Sequence, residues 1–128
     1  MANTFKPASK EPSIRLVMLP KNTNPDGDIF GGFILSLIDE AAAVEAQRQA
    51  NHRFVTVSMD SVQFHRAVQV GDIVSLWCQT MKIGTSSIQI HVDVLANPRR
   101  SDDEYKVTEA TVTLVAIDEQ RRPIPVLG

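Results

Sequence analysis

The fold is decided by the stretch NPDGDIFGGFILSLIDEAAAV, residues 24–44, which passes from turn-forming residues through two glycines into an apolar run. From Ile29 to about Asn51, apolar residues recur at the three- and four-residue spacing of an α-helix, the only long helical pattern in the chain. Asp39 lies in the middle of this run. Its presence needs an explanation, because Asp is a poor helix former and an unpartnered buried carboxylate is costly.

Most of the circumference of this helix is free of large polar groups, so we expect it to be covered on two sides. The apolar stripe should pack on the protein's own sheet, and the opposite side, rich in small residues, should face a partner subunit or a bound ligand. The predicted stripe comprises Phe33, Ile34, Leu37, Ile38, Ala41 and Val44, and the opposite side comprises Gly32, Leu35, Asp39, Ala42, Ala43 and Ala46.

Period-two alternation of apolar residues predicts strands on both sides of the helix. A short strand is expected at 13–19, and four longer ones at 54–64, 72–83, 86–96 and 105–118. The alternation slips near residues 60–62, which predicts a β-bulge. Successive strands with short connections favour antiparallel pairing, so the order β-α-β-β-β-β predicts an α+β fold in which one helix covers one face of an antiparallel sheet.

Length and composition limit the classes of function. The 128 residues suit one domain, which we place at 13–118, between a flexible arm at 1–12 and an irregular tail at 119–128. The net charge of −2 does not predict nucleic acid or an anionic membrane as a partner. The N-terminus lacks a signal-peptide core, and no apolar run approaches the ~20 residues of a membrane span. We therefore expect a cytoplasmic protein.

The segment 24–42 and the strand motifs together resemble the hotdog-fold acyl-CoA thioesterases, in particular the bacterial short-chain group related to the brain acyl-CoA hydrolases. The resemblance covers roughly residues 14–118. It implies an antiparallel sheet wrapped around one long central helix, and hydrolysis of acyl-CoA to a free acid and coenzyme A. The matching residues are Asn24, Gly27, DIFGG at 28–32, SLID at 36–39, VTV at 55–57, VGDIV at 70–74 and KIGTSSI at 82–88.

The resemblance places the catalytic acid at Asp39. This carboxylate could act as a general base on water or attack the thioester itself, and the sequence does not separate these roles. Gly31 and Gly32 favour an oxyanion site at the start of the helix, because the first-turn amides lack intrahelical acceptors and glycine admits close approach. The resemblance also implies that Asn24 serves a pocket whose acid comes from the partner subunit, with Asn22 as the competing candidate.

Further residues are candidates for contacts with the substrate. The resemblance places Ser36 near the acid, where it could bond within the pocket or back to the carbonyl one turn earlier. In relatives, the KIGTSSI segment lies near coenzyme A, although a simple hairpin turn also explains Gly84. The binding candidates there are Gly84, Thr85, Ser86 and Ser87, and the basic candidates for the phosphates of coenzyme A are Arg53, Arg66, Lys82, Arg99 and Arg100.

Neither a metal nor a cofactor is predicted. The three histidines show no metal-ligand spacing with one another, and Cys78 follows a strand pattern typical of a small core residue. Two other functions remain open: a non-catalytic acyl-CoA-binding module, and an enoyl-CoA hydratase, although this helix lacks the histidine of such relatives. The resemblance also implies a homodimer with shared active sites, which assembles further to a tetramer or a hexamer.

Overall fold

One long helix packs against one face of a five-stranded antiparallel sheet in the computed structural model, which describes residues 5–128. The strand order in the sheet is β1-β3-β4-β5-β2, which confirms the predicted α+β hotdog architecture. β1 is shorter than expected, because the 3-10 turn Pro20–Asn22 follows it closely. The elements are β1 Ile14–Val17, α1 Gly31–Gln49, β2 Arg53–Phe64, β3 Ile73–Ile83, β4 Ser87–Asn97 and β5 Tyr105–Ile117.

The core lies between α1 and the inner face of the sheet. Alternate residues of β4 point toward the helix and are fully buried, namely Ile88, Ile90, Val92 and Val94. β2 lies at one edge of the sheet and pairs with β5. Its register against β5 shifts between Thr56 and Ser58 and again between Asp60 and Gln63, which confirms the predicted bulge.

The buried stripe of α1 is rotated relative to the prediction. Val44, assigned to the core, is 48% exposed, whereas Ala42 and Ala46, assigned to the opposite side, are fully buried. The difference arises because Glu45, at 1% exposure, lies on the core side of the helix. A count of apolar residues alone could not place a buried glutamate there.

Glu45 is held in the core by hydrogen bonds from three side chains. Arg48 Nε, Thr80 Oγ1 and Gln49 Nε2 lie 2.8, 2.6 and 3.1 Å from its carboxylate oxygens. Burial alone would raise the pKa of this carboxyl, but the donors, with Arg48 foremost, outweigh burial and lower it. Gln49 extends the network to the N-terminal segment, through hydrogen bonds with the Lys6 N–H and carbonyl at 2.8 and 3.0 Å.

The C-terminal segment is also hydrogen bonded to the sheet. Ile124 N–H donates to Ala116 O and Val126 N–H to Thr85 O, both at 2.9 Å, and Val126 is buried. The predicted division into arm, domain and tail stays a prediction, and residues 1–4 of the arm lie outside the described part. Within residues 5–128, no helix is long and apolar enough to cross a membrane.

Candidate active site

Asp39 lies on α1 beside the edge strand β2. Thr56 Oγ1 donates a hydrogen bond of 2.6 Å to Asp39 Oδ1. The aspartate is only half-buried within one copy of the chain, because β2 lies at the edge of the sheet and no further strand within residues 5–128 covers this side. The expected enclosure of Asp39 therefore does not come from its own chain. Thr56 was not singled out in the sequence, because its pairing with Asp39 depends on how the helix crosses the sheet.

The start of α1 presents free backbone amides. Phe30 is the N-cap residue and makes no side-chain cap, while its carbonyl accepts hydrogen bonds from Phe33 N and Ile34 N. Neither Gly31 N–H nor Gly32 N–H meets an acceptor among the described residues. Gly32 is exposed, and a Cβ atom there would have no neighbour within 4 Å. The geometry therefore leaves room for an acceptor oxygen at this end of the helix.

Asn24 locks the loop that precedes the helix. Its Oδ1 accepts hydrogen bonds from the N–H groups of Asp26 and Asp28, at 2.9 and 3.1 Å. The loop is closed further by Asn24 N–H to Asp28 O at 2.7 Å, and Gly27 takes the positive φ of 88° that the turn requires. Asn22, the competing candidate, contributes its backbone carbonyl as the acceptor for Phe30 N–H.

A cleft of about 340 Å³ lies between this loop, the start of α1 and the end of β2. It brings together two of the predicted site residues, Asn24 and Gly31. Gly32, Asp39, Ser36 and the hairpin candidates do not line it. Residues of its wall include Asn24, Ile29, Gly31, Ile34, Phe64 and Thr108.

The two halves of the predicted site lie apart in one copy of the chain. Gly32 and Asp39 are on the same straight helix, so at ~1.5 Å per residue they are separated by ~10 Å along its axis. Asp39 does not line the cleft at the helix start, so the two groups do not meet in one cleft within a single copy.

The remaining substrate candidates have local roles in the structure. Ser36 Oγ donates to Phe33 O at 2.6 Å, the second of its two predicted alternatives. Gly84 N–H donates to Ser87 O, and the carbonyls of Thr85 and Ser86 accept from Val126 and Ala116. The hairpin 84–87 thus lies at the far end of the sheet from the first cleft. It borders a second groove of about 440 Å³, which Lys82 also lines, whereas Arg66 lines the first cleft.

The outer face of the sheet carries an ion-pair network that sequence spacing did not reveal. His91 Nε2 lies 3.0 Å from Asp93 Oδ1 and 3.5 Å from Glu109 Oε1, because Asp93 and Glu109 are paired across β4 and β5. Lys106 Nζ is 3.1 Å from Asp93, and His65 Nε2 is 2.7 Å from Glu109. His91, Asp93 and Glu109 are close enough to one another to hold a metal ion. Lys106 already supplies a positive charge to both of these carboxylates.

Cys78 is a buried residue of β3, in agreement with its strand pattern. Burial raises the pKa of its thiol to about 11. The thiol is therefore protonated near neutral pH, which makes it a poor nucleophile.

The long helix and the antiparallel sheet wrapped around it define a hotdog-fold protein. Residues 26–101 match the model of the thioesterase superfamily. This match covers more than half of the chain, which therefore belongs to the thioesterase superfamily.

Relatives agree with this assignment. An uncharacterized acyl-CoA thioester hydrolase of Zymomonas mobilis is 44% identical over 116 residues, which cover 91% of this chain and 78% of the relative. The hexameric hotdog-fold thioesterase of Campylobacter jejuni superposes with a TM-score of 0.85 at 39% identity, over 91% of this chain and 90% of that one. The predicted resemblance to hotdog thioesterases is confirmed.

A third relative was solved with ligands. The acyl-CoA hydrolase from Staphylococcus aureus, in complex with butyryl coenzyme A, coenzyme A and coenzyme A disulfide, has a TM-score of 0.83 at 30% identity. The alignment covers 90% of this chain and 70% of that one. Its fold therefore accommodates an acyl-CoA.

Proposed function

We propose that this protein hydrolyses acyl-CoA thioesters to free carboxylic acid and coenzyme A, with Asp39 as the general base or the nucleophile. The observation that carries the proposal is the Asp39 carboxylate, held by Thr56 at 2.6 Å beside an edge strand. A carboxylate oriented by a hydroxyl is suited to general-base or nucleophilic work. The relatives from Zymomonas mobilis and Staphylococcus aureus, an acyl-CoA thioester hydrolase and an acyl-CoA hydrolase, support the reaction class.

The active site is shared between two copies of the chain. Within one copy, Gly32 and Asp39 lie ~10 Å apart along the helix, and Asp39 does not line the cleft at the helix start, which favours an Asp39 supplied by a second copy. Strand β2 offers a means to join two copies, because it is an edge strand and Val57 on it is 55% exposed. Antiparallel pairing of two β2 strands about a two-fold axis extends the sheet and brings the two helices together.

In this arrangement the helix start of one subunit faces the partner subunit's Asp39. The exposed side of Val44, which the single chain leaves 48% accessible, then gains cover. The relative from Campylobacter jejuni is hexameric, so we propose that dimers of this protein also assemble further, to a hexamer rather than a tetramer.

The thioester carbonyl accepts hydrogen bonds from the Gly31 and Gly32 amides, which stabilise the negative charge that develops on its oxygen. One such donor is worth ~3 kcal/mol in the barrier. Asn24 Oδ1 is used within its loop, which leaves its Nδ2 group for the substrate. The residues Ser36 and 84–87 remain candidates for contacts to coenzyme A.

Two routes to product remain open for the carboxylate. As a general base, Asp39 takes a proton from water while the water oxygen bonds to the carbonyl carbon. The C–S bond then breaks, and the coenzyme A thiolate leaves and is protonated. As a nucleophile, Asp39 displaces the thiolate to form a mixed anhydride, which water then hydrolyses. Both routes use side chains and backbone amides of this protein and need no cofactor.

The proposal is tested by a thiol-release assay with acyl-CoAs of increasing chain length. We expect turnover by the wild type and a loss of at least ~100-fold in kcat for Asp39→Asn, which keeps the shape but not the charge. Glu40→Gln is the matched control, because Glu40 is exposed and points ~100° away from Asp39 on the helix.

Three results would contradict the proposal in different ways. Wild-type activity in Asp39→Asn would show that Asp39 is neither the general base nor the nucleophile. Tight acyl-CoA binding without turnover on any chain length would favour a non-catalytic binding module. Hydration of crotonyl-CoA in place of thiol release would favour the hydratase alternative.

A further inference from the structure

A buried hydroxyl in the first cleft has no hydrogen-bond partner within the described part of the chain. Thr108 is 0% exposed, and its Oγ1 is unpaired among residues 5–128. In the strand register it lies between Phe64 of β2 and Val94 of β4, and it lines the cleft near Gly31. Since an unpaired buried hydroxyl is destabilising, this position calls for a partner from outside the chain.

The residue type also differs from the rest of its row on β5. The inward-facing residues that follow are all apolar and buried: Ala110, Val112, Leu114 and Ala116. Valine has nearly the shape of threonine and would continue this row without an unpaired polar group. The one polar member stands where the row reaches the cleft, so packing alone does not account for its hydroxyl.

Three of the other polar atoms around the cleft are already engaged within the chain. Asn24 Oδ1 holds its own loop, Asp28 Oδ1 accepts from Gln69 Nε2 at 2.7 Å, and His65 Nε2 is bonded to Glu109. The wall of the cleft therefore holds the buried, unpaired Thr108 next to the free amide of Gly31, at the positive end of a 19-residue helix. This pair of donors suits a ligand that carries more than one acceptor oxygen.

We propose that the Thr108 hydroxyl donates a hydrogen bond to an oxygen of the bound acyl-CoA close to its thioester, an inference that rests on the proposed function. Acyl-CoA offers two such oxygens within a few bonds of the reacting carbon. One is the nearest amide carbonyl of the pantetheine arm, and the other is the hydroxyl of a 3-hydroxyacyl group. Thr108 is then a substrate-binding residue that orients the thioester and takes no part in bond breaking.

The test compares kcat/KM for butyryl-CoA and 3-hydroxybutyryl-CoA in the wild type, Thr108→Val and Thr108→Ser. Loss of one neutral hydrogen bond should lower kcat/KM by about 3- to 10-fold in Thr108→Val, and Thr108→Ser should restore it. Thr113→Val is the matched control, because Thr113 lies on the outer face of the same strand. Urea unfolding should show Thr108→Val to be at least as stable as the wild type, since the hydroxyl has no partner in the free protein.

The substrates on which Thr108→Val loses kcat/KM identify the oxygen that the Thr108 hydroxyl binds. A loss on both substrates assigns the pantetheine amide, and a loss confined to 3-hydroxybutyryl-CoA assigns the acyl hydroxyl. Unchanged kcat/KM on both substrates would overturn the inference, as would a Thr108→Val variant that is destabilised or unfolded, because the hydroxyl would then serve the fold. A wild type that hydrolyses no acyl-CoA at all would instead overturn the proposed function beneath it.

Discussion

Asp39 and Glu45 are two carboxylates on one helix with opposite surroundings. Glu45 is buried and fully partnered by groups of its own chain, whereas Asp39 is half-buried and has one partner, Thr56. A buried carboxylate whose oxygens are fully hydrogen bonded by groups of its own chain stabilises the fold. A carboxylate that is left partly open beside an unfilled edge is available for chemistry and for a second subunit.

Glu45 should make the stability of the protein depend on acid. Its pKa in the folded state is lowered below the ordinary value of 4.5, so its contribution is present above that pH and is lost as the pH falls through the folded pKa. We expect Glu45→Gln to lower the free energy of unfolding by about 2 kcal/mol at pH 7, and by progressively less below pH 4.5.

Urea unfolding of both proteins from pH 7 down to pH 3 measures this difference. Glu40→Gln provides the control for removal of an exposed carboxylate from the same helix. Parallel stability curves for the wild type and Glu45→Gln over the acid range would show that Glu45 does not titrate with folding.

At the scale of single elements, two glycines should respond to alanine with opposite signs. Gly32 lies in the first turn of α1, where an added Cβ meets nothing within 4 Å, so Gly32→Ala should raise the free energy of unfolding by ~0.5–1 kcal/mol. Gly71 has a φ of 90°, and a Cβ there would lie 3.2 Å from Arg99 Cδ, so Gly71→Ala should lower it by ~1–2 kcal/mol.

Thermal or urea unfolding of the two variants side by side checks the signs. The thiol-release assay should separate them as well, because the methyl group of Gly32→Ala obstructs the approach of the thioester carbonyl while that of Gly71→Ala does not. Equal destabilisation by both substitutions would mean that Gly32 is needed for the helix to form, rather than for substrate access.

The elements themselves could be predicted from the sequence because each buries alternate or helically spaced apolar residues. Ile88, Ile90 and Val92 show the period of two that a strand covered on one face must have, and they are fully buried. The orientation of α1 was less predictable. Val44 is exposed although the core was expected there, and the neighbouring Glu45 is buried, because its partner Thr80 lies 35 residues away and no local pattern reveals it.

In the candidate site, too, some groups can be predicted from local sequence and others only from the folded structure. The amides of Gly31 and Gly32 follow from their place at the start of a helix, which local sequence reveals. The hydrogen bond of Thr56 to Asp39 and the position of Thr108 in the cleft wall depend on strand register and on how the helix crosses the sheet. Only the folded chain defines both. Residue types together with the family resemblance therefore predict the candidate reacting groups, and tertiary structure adds the groups that contact them.

For the whole molecule, the proposed dimer makes activity depend on the β2 edge. Val57 on β2 and Val17 on β1 are both exposed valines of edge strands, at 55% and 51%. Val57→Asp should place two negative charges opposite each other at the dimer interface and therefore yield a monomer. Because the proposed site needs two subunits, kcat/KM should fall by at least ~100-fold. Val17→Asp, the matched control, should remain at least dimeric and active.

Sedimentation velocity and the thiol-release assay on the same samples measure both effects. A monomeric Val57→Asp that keeps wild-type activity would refute the shared site. Loss of dimers in Val17→Asp, with Val57→Asp unaffected, would place the interface at the other edge of the sheet.

The distance between the glycines and the aspartate on α1 has a genetic consequence. If each site draws its amides from one polypeptide and its Asp39 from another, two alleles that are inactive alone can complement each other when co-expressed. Asp39→Ala supplies intact amides and Gly31→Pro an intact carboxylate, so a mixed dimer regains one working site of its two. Random mixing of equal amounts should restore about a quarter of wild-type activity, since half of the dimers are mixed.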